Sequence, residues 1–280
     1  MAEPRRLRVA VGDGRRLHVT EYGPTRDHRP VLLCLPGLVR NGRDFELLAA
    51  RLGDRHRVVC PDYRGRGLSE RETDWRRYSP ETDLADILHI RCARHIDRAV
   101  VIGTSYGGLL AMALGVAAPS MLAGVVLNDI GPESAPDALR AMLAAIDHDR
   151  VLDRWDQAAG ALRAMFPTLR FQTDETFRVA ARNSWRQGAD GRLHVDWDPK
   201  LVRGLPRPPP PQWPLFASLR QIPTLALRGA HSDLLSRACF DRMAAEKPDL
   251  ARIEVPGTAH APSLQEPEAI AAIDDFLARV

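Results

Sequence analysis

Residues 99–118 read AVVIGTSYGGLLAMALGVAA. Ala99–Ile102 is a short, continuous apolar run with β-branched residues, the pattern of a strand buried on both faces. Gly107–Ala118 is rich in small residues and reads as a helix. Between them lies Gly103-Thr104-Ser105-Tyr106-Gly107. A serine on so sharp a strand-to-helix turn needs neighbours without side chains, which the two glycines supply. The turn lifts the hydroxyl above the end of the strand. The N-terminus of the helix behind it favours negative charge. Composition alone would produce the G-x-S-x-G spacing in about one chain in ten of this length. The flanking strand and helix are what give it weight.

Outward from this turn the same alternation recurs. Leu7–Val11 and Leu17–Tyr22 alternate in polarity around Asp13-Gly14, as in a hairpin. Val31–Leu35 is a buried-strand run that stops at Pro36-Gly37, and Asp44–Leu52 has helical spacing. Arg57–Cys60 is a strand. Pro80–Ile90 is a helix with Ser79 as its N-cap and proline at its first position. Leu122–Leu127 is a strand. From about Pro132 to Trp213 the rhythm breaks. That stretch carries helical pieces at Ala138–Ile146 and Arg154–Met165, aromatics at Trp155, Phe166, Phe171 and Trp185, and a proline run from Pro206 to Pro214, a stiff connection. Then Pro223–Leu227 and Ala251–Val255 read as strands, and Leu235–Ala245 and Pro267–Arg279 as helices. Strands alternating with helices imply an α/β fold with a mostly parallel, doubly wound sheet. Residues 1–132 and 214–280 are expected to form its core. Residues 133–213 are expected to form a small, mainly helical cap.

The chain has 280 residues, 45% of them apolar, with a net charge of +3. That is enough for one ordinary core and argues against disorder. Lys200 and Lys247 are the only lysines among 39 basic residues. The arginines are interspersed with acids rather than clustered, so a nucleic-acid partner is not expected and a solvated, arginine-biased surface is. The opening MAEPRRLRV has no apolar stretch behind its charges, and no run approaches the roughly 18 apolar residues of a membrane span. Cys34, Cys60, Cys92 and Cys239 lack metal-ligand spacing. A reduced, cytoplasmic protein without metal or cofactor is the expectation.

A serine hydroxyl needs a base within reach and a group to hold that base. His260 stands in the loop after the last strand and is the expected base; none of His18, His28, His56, His89, His95, His148 and His194 has such a setting. Asp233, after Pro223–Leu227, is the favoured orienter. Asp129, after Leu122–Leu127, is the alternative. The backbone N–H groups of Leu38 and Tyr106 would hold an oxyanion. Arg40 and Asn41 follow Leu38 directly and are candidates for a substrate pocket.

With these residues in view, the chain resembles the α/β-hydrolase superfamily, whose elbow motif is G-x-S-x-G with the order Ser, acid, His. Pro61-Asp62-Tyr63-Arg64-Gly65-Arg66-Gly67-Leu68-Ser69, Leu127-Asn128-Asp129-Ile130-Gly131-Pro132, Arg228-Gly229-Ala230-His231-Ser232-Asp233 and Gly257-Thr258-Ala259-His260-Ala261-Pro262 are similar to its other patterns. The chain departs from them in two places. Pro36-Gly37 stands where many members have His-Gly, and Ser232 fills the slot usual for the acid. The resemblance implies an acyl-enzyme hydrolase of a small carbonyl substrate: an ester, a lactone or a diketone carbon–carbon bond. An acyltransferase with a non-water acceptor, or a small-ligand receptor on the same fold, are the alternatives.

Overall fold

The computed structural model describes residues 3–25, 29–166, 174–204 and 210–280. His28, Phe171 and Pro206–Pro209 lie outside them. The elements in chain order are β1 (Arg5–Ala10), β2 (Arg16–Tyr22), β3 (Val31–Leu35), α1 (Glu46–Leu52), β4 (Val58–Pro61), α2 (Pro80–Ala93), β5 (Ala99–Thr104), α3 (Tyr106–Ala117), β6 (Leu122–Asn128), α4 (Pro136–Ile146), α5 (Ala158–Met165), α6 (Asp174–Arg182), β7 (Trp185–Gln187), β8 (Leu193–Val195), α7 (Trp213–Ala217), β9 (Thr224–Gly229), α8 (Arg237–Glu246), β10 (Ala251–Val255) and α9 (Pro267–Leu277).

Eight strands form one sheet in the order β1-β2-β4-β3-β5-β6-β9-β10. Only β2 runs against the others. Side chains alternate across it, so each central strand feeds two cores. Leu33, Leu35, Val101, Val125 and Leu127 pack on one face with Leu110 and Leu114 of α3 and Ile87 and Ile90 of α2. Leu32, Cys34, Val100, Ile102 and Val126 pack on the other with Leu48 and Leu52 of α1 and Ile273 and Phe276 of α9. Full burial of such side chains is worth roughly 1.5–3 kcal/mol each. This two-sided burial explains why the strands read as unbroken apolar runs.

The local signals act as read. Gly14, at φ +84°, turns the β1–β2 hairpin, and its N–H donates to the Val11 carbonyl at 2.8 Å. The Ser79 side chain accepts from the Thr82 N–H at the start of α2. Two features differ from expectation. The stretch between β6 and β9 carries an antiparallel pair, β7 with β8, as well as helices. Arg57, Arg64, Arg66 and Arg228 are buried rather than solvated, and Arg64 bonds both oxygens of Asp86 at 2.7 Å. The loop at Gly65 and Gly67 is tied to the stretch after β8: Gly67 N–H donates to the Asp196 carbonyl and Asp198 N–H to that of Gly65.

Candidate active site

Ser105 stands between β5 and α3, as the N-cap of α3, at φ 52°, ψ −118°, a backbone region rarely occupied by a side-chain-bearing residue. Its N–H donates to the Asn128 carbonyl at 2.9 Å, which fixes the turn to β6. A Cβ at Gly103 would come within 2.5 Å of the Gly107 carbonyl group, and one at Gly107 would run into the Leu35 carbonyl. The two glycines are therefore demanded by close backbone approach.

The loop after β10 carries His260 to this turn. Its Nε2 lies 2.9 Å from Ser105 Oγ and its Nδ1 2.7 Å from Asp129 Oδ2. A carboxylate only accepts, so Nδ1 carries the hydrogen and Nε2 is free to accept from the serine hydroxyl. Asp129 is fully buried at φ 55°, a left-handed conformation that aspartate tolerates better than most residues. Its Oδ1 accepts from the Gly229 N–H at 2.7 Å, and its Oδ2 also accepts from the Ser232 hydroxyl at 2.6 Å. The carboxylate is thus held by three donors, as a buried charge requires.

This geometry corrects the favoured orienter. Asp233 is exposed, while Asp129 faces His260. The reason is local. The His231 N–H donates to the Thr258 carbonyl, which binds the β9 and β10 loops together and turns Ser232 inward. Ser232 then supports the Asp129 carboxylate, and the next residue points out. Serine in the acid's usual slot was the signal for this.

Leu38 and Ser105 line one cavity, and a Cβ at Gly37 would be 3.9 Å from that of Ser105. Tyr106 is the first residue of α3, whose opening N–H groups have no partner within the helix. The cavity measures about 210 Å³ and its wall is mostly apolar, with Val39, Met142, Ile146, Leu162, Phe166 and Val179 around Ser105 and His260. Met142, Leu162 and Val179 come from α4, α5 and α6. Of the two candidates after Leu38, Arg40 lines the cavity. It is already engaged: Nε and Nη2 donate to the Asp44 carboxylate at 2.7 and 2.6 Å, and the guanidinium also meets Ser184 Oγ and the Ala180 carbonyl. Asn41 is not in the cavity wall, contrary to expectation. It is buried, donates to the Asn183 carbonyl and to Asp196 at 2.9 and 3.0 Å, and accepts from the Arg43 N–H as an N-cap. Its small amide thus joins the start of the turn after β3 to Asn183 and Asp196.

Asp44 and Asn183, which also line the cavity, went unread in the sequence. Arg40 lies outside the helix, so its pairing with Asp44 was not marked by helical spacing. Asn183 comes to the site only through tertiary packing. Among the described residues no group of three His, Cys, Asp or Glu is set to hold a metal ion, and no helix is long and apolar enough to cross a membrane.

Comparison with known proteins agrees with this architecture. The family model described as alpha/beta hydrolase family matches residues 32–273. The 3-hydroxybutyrate-oligomer hydrolase of Cupriavidus necator is 32% identical over 93% of this chain and 92% of its own length. The 2-(acetamidomethylene)succinate hydrolase of Mesorhizobium japonicum is 28% identical over 89% of this chain and 88% of its own. A crystal structure of an alpha/beta hydrolase from Novosphingobium aromaticivorans superposes with a TM-score of 0.93 at 40% identity, covering all of both chains.

Proposed function

Because the chain belongs to the alpha/beta hydrolase family, we propose that it is a serine hydrolase of small carboxylic esters in which Ser105, His260 and Asp129 act as one unit. The observation that carries this reading is the single imidazole that meets Ser105 Oγ at 2.9 Å and Asp129 Oδ2 at 2.7 Å. Nε2 takes the hydroxyl proton as Oγ attacks the ester carbonyl. The imidazolium that forms is stabilised by Asp129, and the carbonyl oxygen, now negative, is held by the N–H groups of Leu38 and Tyr106. Collapse expels the alcohol, which takes the proton from His260. Water then repeats the sequence on the acyl-serine and releases the acid.

Between β6 and β9, helices α4, α5 and α6 serve as a cap that walls the acyl pocket. The apolar wall suits a short hydrocarbon segment. The pairing of Arg40 with Asp44 removes a free positive charge from it, which favours neutral acyl groups. The relative that acts on 3-hydroxybutyrate oligomers makes short oligoesters of hydroxy acids the first natural substrates to try.

The test is hydrolysis of p-nitrophenyl esters of increasing acyl length and of hydroxybutyrate dimers and trimers, with Ser105→Ala alongside. Wild type should turn over and the variant fall by at least about 10³-fold. Turnover retained in Ser105→Ala would end the serine reading. Inertness of wild type on every ester would end the ester reading and direct attention to a carbon–carbon bond or a non-water acceptor.

A further inference from the structure

We propose that Arg66 is a positioning residue that aims both oxyanion donors, Leu38 N–H and Tyr106 N–H, through one buried network. The proposal rests on the assignment of those two amides above. Arg66 is 2% exposed. Its Nε donates to the Leu38 carbonyl at 2.8 Å. Its Nη2 lies 3.2 Å from Asp83 Oδ2, and that same oxygen accepts from the Tyr106 hydroxyl at 2.8 Å. The guanidinium stands over the rings of Tyr63 and Tyr106, 5.3 and 5.8 Å from their centres, and these rings meet edge to face. The Tyr63 hydroxyl in turn donates to the Pro36 carbonyl at 3.2 Å.

The consequence follows from peptide geometry. The Leu38 N–H belongs to the Gly37–Leu38 peptide. The carbonyls of the peptides on either side, those of Pro36 and Leu38, are the ones that Tyr63 and Arg66 hold. Holding both flanking carbonyls restrains the peptide between them, and the Gly37 carbonyl of that same peptide accepts from the Arg40 N–H at 3.0 Å, which keeps the opposite-pointing Leu38 N–H from flipping. On the other side, the anchored Tyr106 side chain pins the first residue of α3, whose own N–H is the second donor. One guanidinium therefore connects the two halves of the hole, one built after β3 and the other after β5. The fork of five donors on arginine can hold a carbonyl and a carboxylate together, whereas the single ammonium of lysine cannot hold both in the same directions. The loop that bears Arg66 is itself fastened on both sides, by Gly67 N–H to the Asp196 carbonyl at 2.9 Å and Asp198 N–H to the Gly65 carbonyl at 2.8 Å.

A misaimed donor harms the developing oxyanion far more than the ground-state carbonyl, so the loss belongs in kcat rather than KM. The experiment compares wild type with Arg66→Lys, Tyr106→Phe and Tyr63→Phe. Each tyrosine variant keeps its backbone N–H and the buried ring, so folding is preserved even if Arg66→Lys fails to fold. The readouts are kcat and KM on the best p-nitrophenyl ester, the affinity of a boronic acid that mimics the tetrahedral intermediate, and the affinity of the product carboxylate. Arg66→Lys should lose about 10- to 100-fold in kcat, less than removal of a whole donor, with boronate affinity falling in step. Tyr106→Phe should lose less, in the same direction, and product affinity and KM should stay within about twofold in all three. Folded variants whose boronate affinity is unchanged, or falls together with product affinity, would overturn the proposal. If the boronate binds wild type no better than Ser105→Ala, the serine reading falls and takes the positioning role with it. Weaker boronate binding in Ser105→Ala with no weakening in the Arg66 and tyrosine variants overturns the positioning role alone.

Discussion

Asp44 sets the electrostatics of the cavity. It accepts two hydrogen bonds from Arg40 at 2.7 and 2.6 Å, and both residues line the space in front of Ser105. Burial works against the guanidinium charge, but the neighbouring carboxylate more than offsets it. A substrate carboxylate entering wild type would meet a cation already neutralised and an anion beside it. Asp44→Asn keeps the size of the side chain, removes the negative charge and leaves one acceptor oxygen where Arg40 now meets two. We expect the ratio of kcat/KM for carboxylate-bearing esters over neutral esters of equal length to rise about tenfold, which is 1.4 kcal/mol. An unchanged ratio would mean that Arg40 does not face bound substrate. The two aspartates read as candidate orienters give a second contrast. Asp129→Asn should cost about 10³–10⁴ in kcat, because an amide at that position favours the wrong imidazole tautomer. Asp233→Asn, exposed, should leave ester turnover near wild type. The reverse order would overturn the assignment of Asp129. Ser105 and His260 were legible because each stands at a strand end with a distinctive local setting. The choice between Asp129 and Asp233 was only hinted at, by Ser232 in the acid's usual slot. Which of two adjacent loop residues turns inward depends on backbone bonds between the β9 and β10 loops, and no periodicity records those.

At the scale of elements, the sheet strands were readable because burial on both faces writes itself as an apolar run. β7 and β8 were not, since three residues each are too few to display a period of two. The attachment of the segment between β6 and β9 is likewise hidden in sequence. It depends on Asp196, just after β8, which is buried and accepts from Asn41 Nδ2 at 3.0 Å and Arg43 Nη2 at 2.6 Å. Asp196→Ala would leave one N–H of the buried Asn41 amide without its acceptor, the other keeping the Asn183 carbonyl, and would take from Arg43 its carboxylate. Leaving buried polar groups unpaired costs about 1–3 kcal/mol. In a chain of this size each kcal/mol is worth about 2–4 °C of Tm. Scanning calorimetry should show that fall. Limited proteolysis should find new cleavage within residues 174–204, because this aspartate ties that stretch to the loop after β3. A Tm within one degree of wild type and an unchanged digestion pattern would show that the anchor lies elsewhere.

Across the whole molecule, most described arginines lie at the surface as expected, but Arg57, Arg64, Arg66 and Arg228 are buried and anchor charge clusters with acids. Burial opposes ionisation of Asp13, but hydrogen bonds from Arg64, the Arg15 N–H and Arg77 bring its pKa from 3.8 to about 2. Glu21 is also held below its ordinary value, because hydrogen bonds from Arg94 and Arg57 outweigh its burial. For a carboxyl whose folded pKa is depressed, the folded state binds fewer protons than the unfolded one. Its stabilisation is complete above the unfolded pKa and is lost as pH falls through the folded one. Asp83 and Asp86 act in the opposite sense, since burial raises both. The net stability curve therefore mixes signs, and the informative quantity is a difference. Asp13→Asn should be less stable than wild type in urea at pH 6. That gap should narrow as pH falls from about 4 towards 2, with Glu21→Gln behaving alike. A gap that persists undiminished at pH 2.5 would mean that the carboxylates act through packing, and that the arginines around them contribute no charge-dependent stability.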